Sequence, residues 1–209
     1  MVPRFTGAVC AAIFSMLSAI IATHNSERAL VPTLAALVPG ATTGLLGEAI
    51  IADGGSTDAT AEVADIAGCR FIASGDPVGA RLKAAALTTK TPWLMFLRAG
   101  CVPEPGWIQT ADRFMETIDR LDVPMRAAVF RPPGAGDMLH PRLSELAALL
   151  RVMFGGGARP EQGLLIARRF YDEVGGHAST AGAEAALLKT IGRRRIAMLP
   201  IGAGTARGS

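Results

Sequence analysis

Cysteine is scarce. Cys10, Cys69 and Cys101 are the only three in 209 residues, and no two have C-x-x-C spacing. That argues against a disulfide framework or a thiolate zinc site, and a reducing cytoplasm is the simplest setting. Cys69 and Cys101 sit in or beside apolar runs and read as inert. Aromatic residues are only 5% of the chain, so a core built from its 50% hydrophobic residues must be mostly aliphatic. Charge is modest too: 19% charged residues, a net +3 and a pI near 9.1. So small a basic excess does not point to nucleic acid, and an anionic small ligand fits equally well. His24, His140 and His177 share no metal-like spacing and read as ordinary loop residues.

No hydrophobic run is long enough to span a bilayer. The stretch from Ala8 to Ala22 is shorter than the roughly 20 residues required. Behind Met1–Arg4 it resembles a secretory signal, yet its last part, Ser18–Ala22, fits better as a first strand that cleavage would remove. Residues 1–16 are therefore expected to be an N-terminal extension, with Met16 as the translation start and 17–209 as one domain. No internal repeat or long linker divides it.

The most informative stretch is Ala49 to Thr60. A buried strand ends in Asp53, followed by Gly54-Gly55 for a sharp turn. Ser56 or Thr57 is placed to cap a helix, with Asp58 in its first turn. Asp53 then stands at the carboxyl end of a strand, where open α/β sheets bind ligands.

In chain order, the pattern predicts a strand at 18–22 and a helix ended by Pro39-Gly40. A strand at 49–52 and a helix from Ser56 with Ala59, Val63, Ile66 and Ala67 inward come next. A strand at 69–73, a helix carrying Arg81 and Lys83, and a strand at 93–97 follow. After a Gly- and Pro-rich loop, 98–106, come a helix over 107–119 and a strand at 127–130. Residues 131–141 read as a loop and 143–154 as an amphipathic helix. A strand at 162–166, helices at 168–173 and 183–191 and a strand at 196–199 complete the domain before a frayed end. Met16, Met95, Met115 and Met153 are expected in the core. Such alternation predicts an α/β fold with a mostly parallel mixed sheet flanked by helices. Thr23-His24-Asn25 after the first strand is not G-x-G-x-x-G, which disfavours a dinucleotide dehydrogenase. A nucleotidyltransferase would need a glycine- and lysine-rich loop there.

Ser18-Ala-Ile-Ile-Ala-Thr-His-Asn25-Ser-Glu27 and Ala49-Ile-Ile-Ala-Asp53-Gly-Gly-Ser-Thr-Asp58 together resemble the two opening motifs of family 2 glycosyltransferases. Trp93–Leu97, Glu161-Gln162-Gly163, Gly175-Gly176 and Glu184-x-x-Leu187 agree more weakly, so the resemblance spans roughly residues 17–201. It implies a single GT-A, Rossmann-like domain. It also implies transfer from a nucleotide-sugar, of UDP type, to a glycan or lipid-linked acceptor, as in bacterial cell-envelope polysaccharide synthesis. It places the protein in the cytoplasm or at the inner face of the membrane. Asp53 would accept a hydrogen bond from the nucleobase, with Thr23 and Asn25 lining the same pocket; the alternative is that Asp53 only caps its turn. Where the family carries D-x-D, this chain reads Arg98-Ala99-Gly100, which puts the divalent metal in doubt. Arg98, with Arg81, would meet the diphosphate instead, or else Arg98 is a solvated residue of a decayed site. Of the family's Glu-Asp pair only Glu184 stands in place, as the acceptor-activating base or as an exposed helix-end glutamate. Arg193-Arg194-Arg195 could meet anionic lipid, though a solvated helix end is the commoner role. A protein that binds nucleotide-sugar without transfer is the alternative function.

Overall fold

The structure, a computed structural model, describes residues 16–120, 125–132 and 158–205. The expected helix over 143–154, with Met153, lies outside these residues, as do the expected loop over 131–141 beyond its first two residues, with His140, and the expected extension over 1–16 up to Met16.

The strands are β1 (Leu17–Thr23), β2 (Leu46–Asp53), β3 (Arg70–Ala73), β4 (Trp93–Arg98), β5 (Cys101–Pro103), β6 (Ala127–Arg131), β7 (Leu164–Ala167) and β8 (Ile196–Thr205). The helices are α1 (Glu27–Thr42), α2 (Thr60–Ile66), α3 (Val78–Thr88), α4 (Trp107–Arg120), α5 (Arg168–Glu173) and α6 (Ala183–Ile191). One eight-stranded mixed sheet runs in the order β3-β2-β1-β4-β7-β6-β8-β5. β3, β2, β1 and β4 are mutually parallel, and β7 runs against both β4 and β6. Leu17, Ala19, Ile20 and Ile21 of β1, like Leu94, Met95 and Leu97 of β4, are buried, because neighbours on both sides and helices on the faces leave a central strand no wet face.

This order positions the site. From β1 the chain winds outward to β2 and β3, then returns to lay β4 on the other flank of β1. The winding reverses between β1 and β4, where an open α/β sheet leaves a crevice at its carboxyl ends. The register lines up the tips: Thr23 pairs with Asp53, Asp53 with Ala73, and Ala22 with Arg98.

Several boundaries differ from expectation. α1 passes through Pro32 and Pro39 to Thr42. Its last turn is held from outside: Trp107 donates to the Ala36 carbonyl at 2.9 Å, and its ring lies so close to Gly40 that a Cβ there would come within 2.6 Å. α2 begins at Thr60 rather than Ser56, and it buries Thr60 and Ala64 while Ile66 faces solvent. The loop after β4 contains β5, whose partner is the end of β8. The tail expected to fray is therefore strand as far as Thr205. Gln162 belongs to a short 3-10 turn ahead of β7, its amide donating to the Phe130 carbonyl at 2.7 Å. Met95 and Met115 are buried, and Met16 packs against the core.

Candidate active site

The loops after β1 and β2 are fastened to each other. Asn25, at φ 47°, turns its side-chain oxygen to accept from the Thr57 amide at 2.9 Å, while its own amide donates to Ser56 Oγ at 2.8 Å. The Glu27 amide donates to Asp58 at 3.1 Å, and the Ala59 amide returns a bond to Glu27 at 3.0 Å. The Ser26 amide donates to Thr60 Oγ1 at 2.9 Å. These side chains accept backbone N–H groups that the open loop ends would otherwise leave unpaired.

Asp53 organises this platform from beneath. Its Oδ1 accepts from Thr23 Oγ1 at 2.8 Å and Ser56 Oγ at 2.5 Å. Its Oδ2 accepts from the amides of Gly55 at 2.8 Å and Ser56 at 2.7 Å. Burial raises the carboxyl's pKa, but the bonds from Ser56, Thr23 and Gly55 outweigh it and hold the group below the usual carboxylate range. At 1% exposure, with both oxygens engaged, Asp53 is not offered to a nucleobase in the way expected. Ser56, one of the two candidate helix caps, instead donates both its hydroxyl and its amide to Asp53. Thr23 is likewise buried, its hydroxyl on Asp53 and its carbonyl accepting from Gly54 N at 2.9 Å.

Arg81 reaches under the same tips from α3. Nη1 donates to the Thr23 carbonyl at 3.0 Å and the Ala52 carbonyl at 2.6 Å, and Nε to the Asp76 carbonyl at 3.1 Å. Burial lowers its pKa, opposed by the charges of Asp53 and Glu184. With Nε and Nη1 bound to backbone, Arg81 clamps the strand ends together rather than standing free for a diphosphate.

Arg98 stands at the switch point, at the last position of β4. Nε donates to both oxygens of Glu184, at 2.9 and 3.0 Å, and Nη2 bonds Oε2 of the same carboxylate. Nη1 lies 3.8 Å from Glu161. The bonds and charge of Glu184 outweigh burial and raise the guanidinium's pKa. Glu184, in the first turn of α6, is buried rather than the exposed helix-end residue of the alternative reading. With Phe96, Arg159, Gly163, His177 and Leu188 it lines a small cleft.

His177 is not an ordinary loop residue. It is buried edge-on to Phe96 at 4.6 Å between ring centroids, and its Nδ1 lies 2.9 Å from the Tyr171 hydroxyl. Burial, with a smaller contribution from Lys83, pushes it down to about 4. Glu161 and His177 had no role on sequence grounds; their proximity to Arg98 and Glu184 arises from chain brought together across the sheet. Cys101 is buried, which pushes its thiol up to about 12, as fits an inert residue. Arg195 stacks on Phe170 at 4.1 Å and bonds Glu173 at 2.8 Å. The 193–195 turn precedes β8, whose start aligns with that of β6, so it lies at the end of the sheet away from Arg98.

The residues suit no divalent metal at the β4 tip. A guanidinium stands between two carboxylates there, and among the described residues no three His, Cys, Asp or Glu side chains group as ligands.

Fold and tips together define a GT-A-type α/β domain with its crevice at the β1/β4 switch. The family described as glycosyl transferase family 2 matches residues 18–169, and the chain belongs to that family. Similar solved structures include glucosyl-3-phosphoglycerate synthase from Mycobacterium tuberculosis in complex with Mn²⁺, UDP and phosphoglyceric acid. It is 18% identical with a TM-score of 0.66, over 99% of this chain and 78% of that one. The same synthase with Mn²⁺ and UDP-glucose is 20% identical, at a TM-score of 0.64, over 98% and 78%. A mycobacterial protein is 20% identical, at 0.66, over 99% and 74%. At these identities the likeness is one of fold. Nothing matches among curated proteins.

Proposed function

We propose that the chain is a glycosyltransferase that moves a sugar from a nucleotide-sugar, of UDP type, to an acceptor hydroxyl without a bound metal. The observation that carries this reading is the placement of Arg98 at the switch point, within hydrogen-bond reach of Glu184. The nucleotide would lie across the β1 and β2 tips, beside Thr23 and Asn25 and over the turn that Asp53 fixes. Arg98 would offset the charge that develops on the departing diphosphate, as a bidentate donor. Arg81 would keep the tips in place and add its charge beneath them. Glu184 would take the proton from the acceptor hydroxyl as it attacks the anomeric carbon and the bond to the diphosphate breaks. The acceptor would be a glycan or lipid-linked sugar, a reading that the resemblance to the family supports. The similar synthase binds phosphoglyceric acid, so a small acid belongs among the acceptors assayed. Among the described residues no helix is long and apolar enough to cross a membrane, and membrane contact would be peripheral.

The test is UDP release from UDP-sugars, measured with EDTA and with Mn²⁺. Turnover that survives EDTA and is lost in Glu184→Gln supports the assignment; loss on adding EDTA overturns the metal-free mechanism. One observation favours a second reading: both Glu184 oxygens are already bonded to Arg98. Nucleotide-sugar binding without turnover under any metal condition would identify a binding protein that keeps the fold.

A further inference from the structure

The charges at the crevice raise a problem that the proposed reaction must solve. A general base needs a free lone pair facing the acceptor hydroxyl. Glu184 has both oxygens on one guanidinium, and that same guanidinium is the group best placed for the diphosphate. Arg98 has one charge to share, and its Nε–Nη2 edge, the one that makes the bidentate pair, is already on Glu184.

The two partners differ in freedom. Glu184 is held in the first turn of α6, with a side chain only 9% exposed. Arg98 has its backbone fixed opposite Ala22, but its side chain is 42% exposed. Its second carboxylate, Glu161, is 56% exposed and 3.8 Å away, a weak surface anchorage. The guanidinium can therefore swing about its own torsions without disturbing sheet or helix, and Glu184 cannot follow it. A diphosphate carries more charge than either carboxylate and accepts the same fork.

We propose that Arg98 is a latch on Glu184 that the donor's diphosphate opens. Resting on the transferase reading above, this sets an order of binding. Before the donor arrives, both Glu184 oxygens are engaged by Arg98 rather than by an acceptor hydroxyl. The diphosphate draws Arg98 onto itself and leaves Glu184 free at the cleft lined by Phe96, His177 and Leu188. The acceptor hydroxyl then meets a competent base only when a donor is in place.

The latch makes a binding prediction that needs no acceptor and no turnover. Breaking the resting ion pair releases Arg98, so Glu184→Gln should bind UDP about tenfold more tightly than wild type in calorimetry. Removing one negative charge would also help by simple repulsion, and Arg98→Gln separates the two effects. In the Arg98→Gln background the Glu184→Gln change should alter UDP affinity by less than about twofold. Uridine, which lacks the diphosphate, should bind wild type and Glu184→Gln alike. Melting temperatures confirm that each variant is folded, with Arg98→Met as a substitute if Arg98→Gln is not. UDP binding that is unchanged in Glu184→Gln, or tightened equally in both backgrounds, overturns the latch and leaves the transferase reading standing. Failure of wild type and all variants to bind UDP overturns that reading, and the latch with it.

Discussion

Gly54 has no room for a side chain. A Cβ there would lie 3.1 Å from the Arg81 guanidinium, which the carbonyls of Thr23, Ala52 and Asp76 hold in place. Gly54→Ala should therefore lower stability by about 1–2 kcal/mol in urea unfolding, the usual cost of overpacking a site that cannot yield. In an Arg81→Ala background the added cost should shrink to a few tenths of a kcal/mol, because the obstructing group is gone. Asp53→Asn tests the neighbouring residue. An amide oxygen can keep the N–H donors of Gly55 and Ser56, but the amide NH₂ would then face the Thr23 and Ser56 hydroxyls, which donate to the carboxylate and would lose their acceptor. The expected loss is about 2–3 kcal/mol, with no compensating gain in nucleotide affinity. A carboxylate at the end of a buried strand was legible in the sequence; the number of donors it satisfies was not. Two of those bonds come from Ser56, only three residues on, but a third comes from Thr23, brought alongside by strand pairing thirty residues away.

Elements were legible where their own sequence marks their ends and illegible where another element decides them. The spans of α5 and α6 agree with expectation residue for residue, and β1, β2 and β4 within a few positions, because continuous apolar runs and tight glycine turns mark them. The end of α1 depends on Trp107, and β5 and the last three residues of β8 form as partners of each other. The turn after α5 likewise acquires a property its sequence does not show, since His177 is enclosed by Phe96 and Tyr171. Its pKa in the fold, about 4, is below the value of about 6.5 expected when unfolded. Between those values the unfolded chain binds the extra proton and the fold does not, so this contribution to stability is complete above pH 6.5 and falls as pH drops toward 4. Wild type should lose about 2 kcal/mol from this source between pH 7 and pH 5. His177→Gln should show a correspondingly flatter pH dependence in urea unfolding, and an equal slope in both proteins would reject burial of a neutral imidazole as its cause.

At the scale of the molecule, the two halves of the crevice are built differently, and the sequence marks the first by paired motifs and the second by Arg98, Glu184 and weaker motifs. The paired opening motifs identify the β1 and β2 tips, and the structure shows why they occur as a pair: each loop supplies acceptors for the other's amides. The opposite half, with Arg98, Glu161 and Glu184, comes from three distant segments that meet at the Arg98 guanidinium. A platform stapled by side-chain acceptors needs no ligand to order it, whereas an ion pair at a solvent-facing tip exchanges partners readily. Amide exchange can tell these apart. The amides of Asn25, Ser26, Gly55, Ser56, Thr57 and Ala59 should exchange slowly in the ligand-free protein, although all lie in loops. Saturating UDP should add little protection at those six positions. Ser56→Ala removes the hydroxyl that accepts from Asn25 N and donates to Asp53, so it should speed exchange at Asn25 by about tenfold while β4 stays protected. Fast exchange across both loops without ligand, slowed only when UDP is added, would instead mean that nucleotide binding builds the platform.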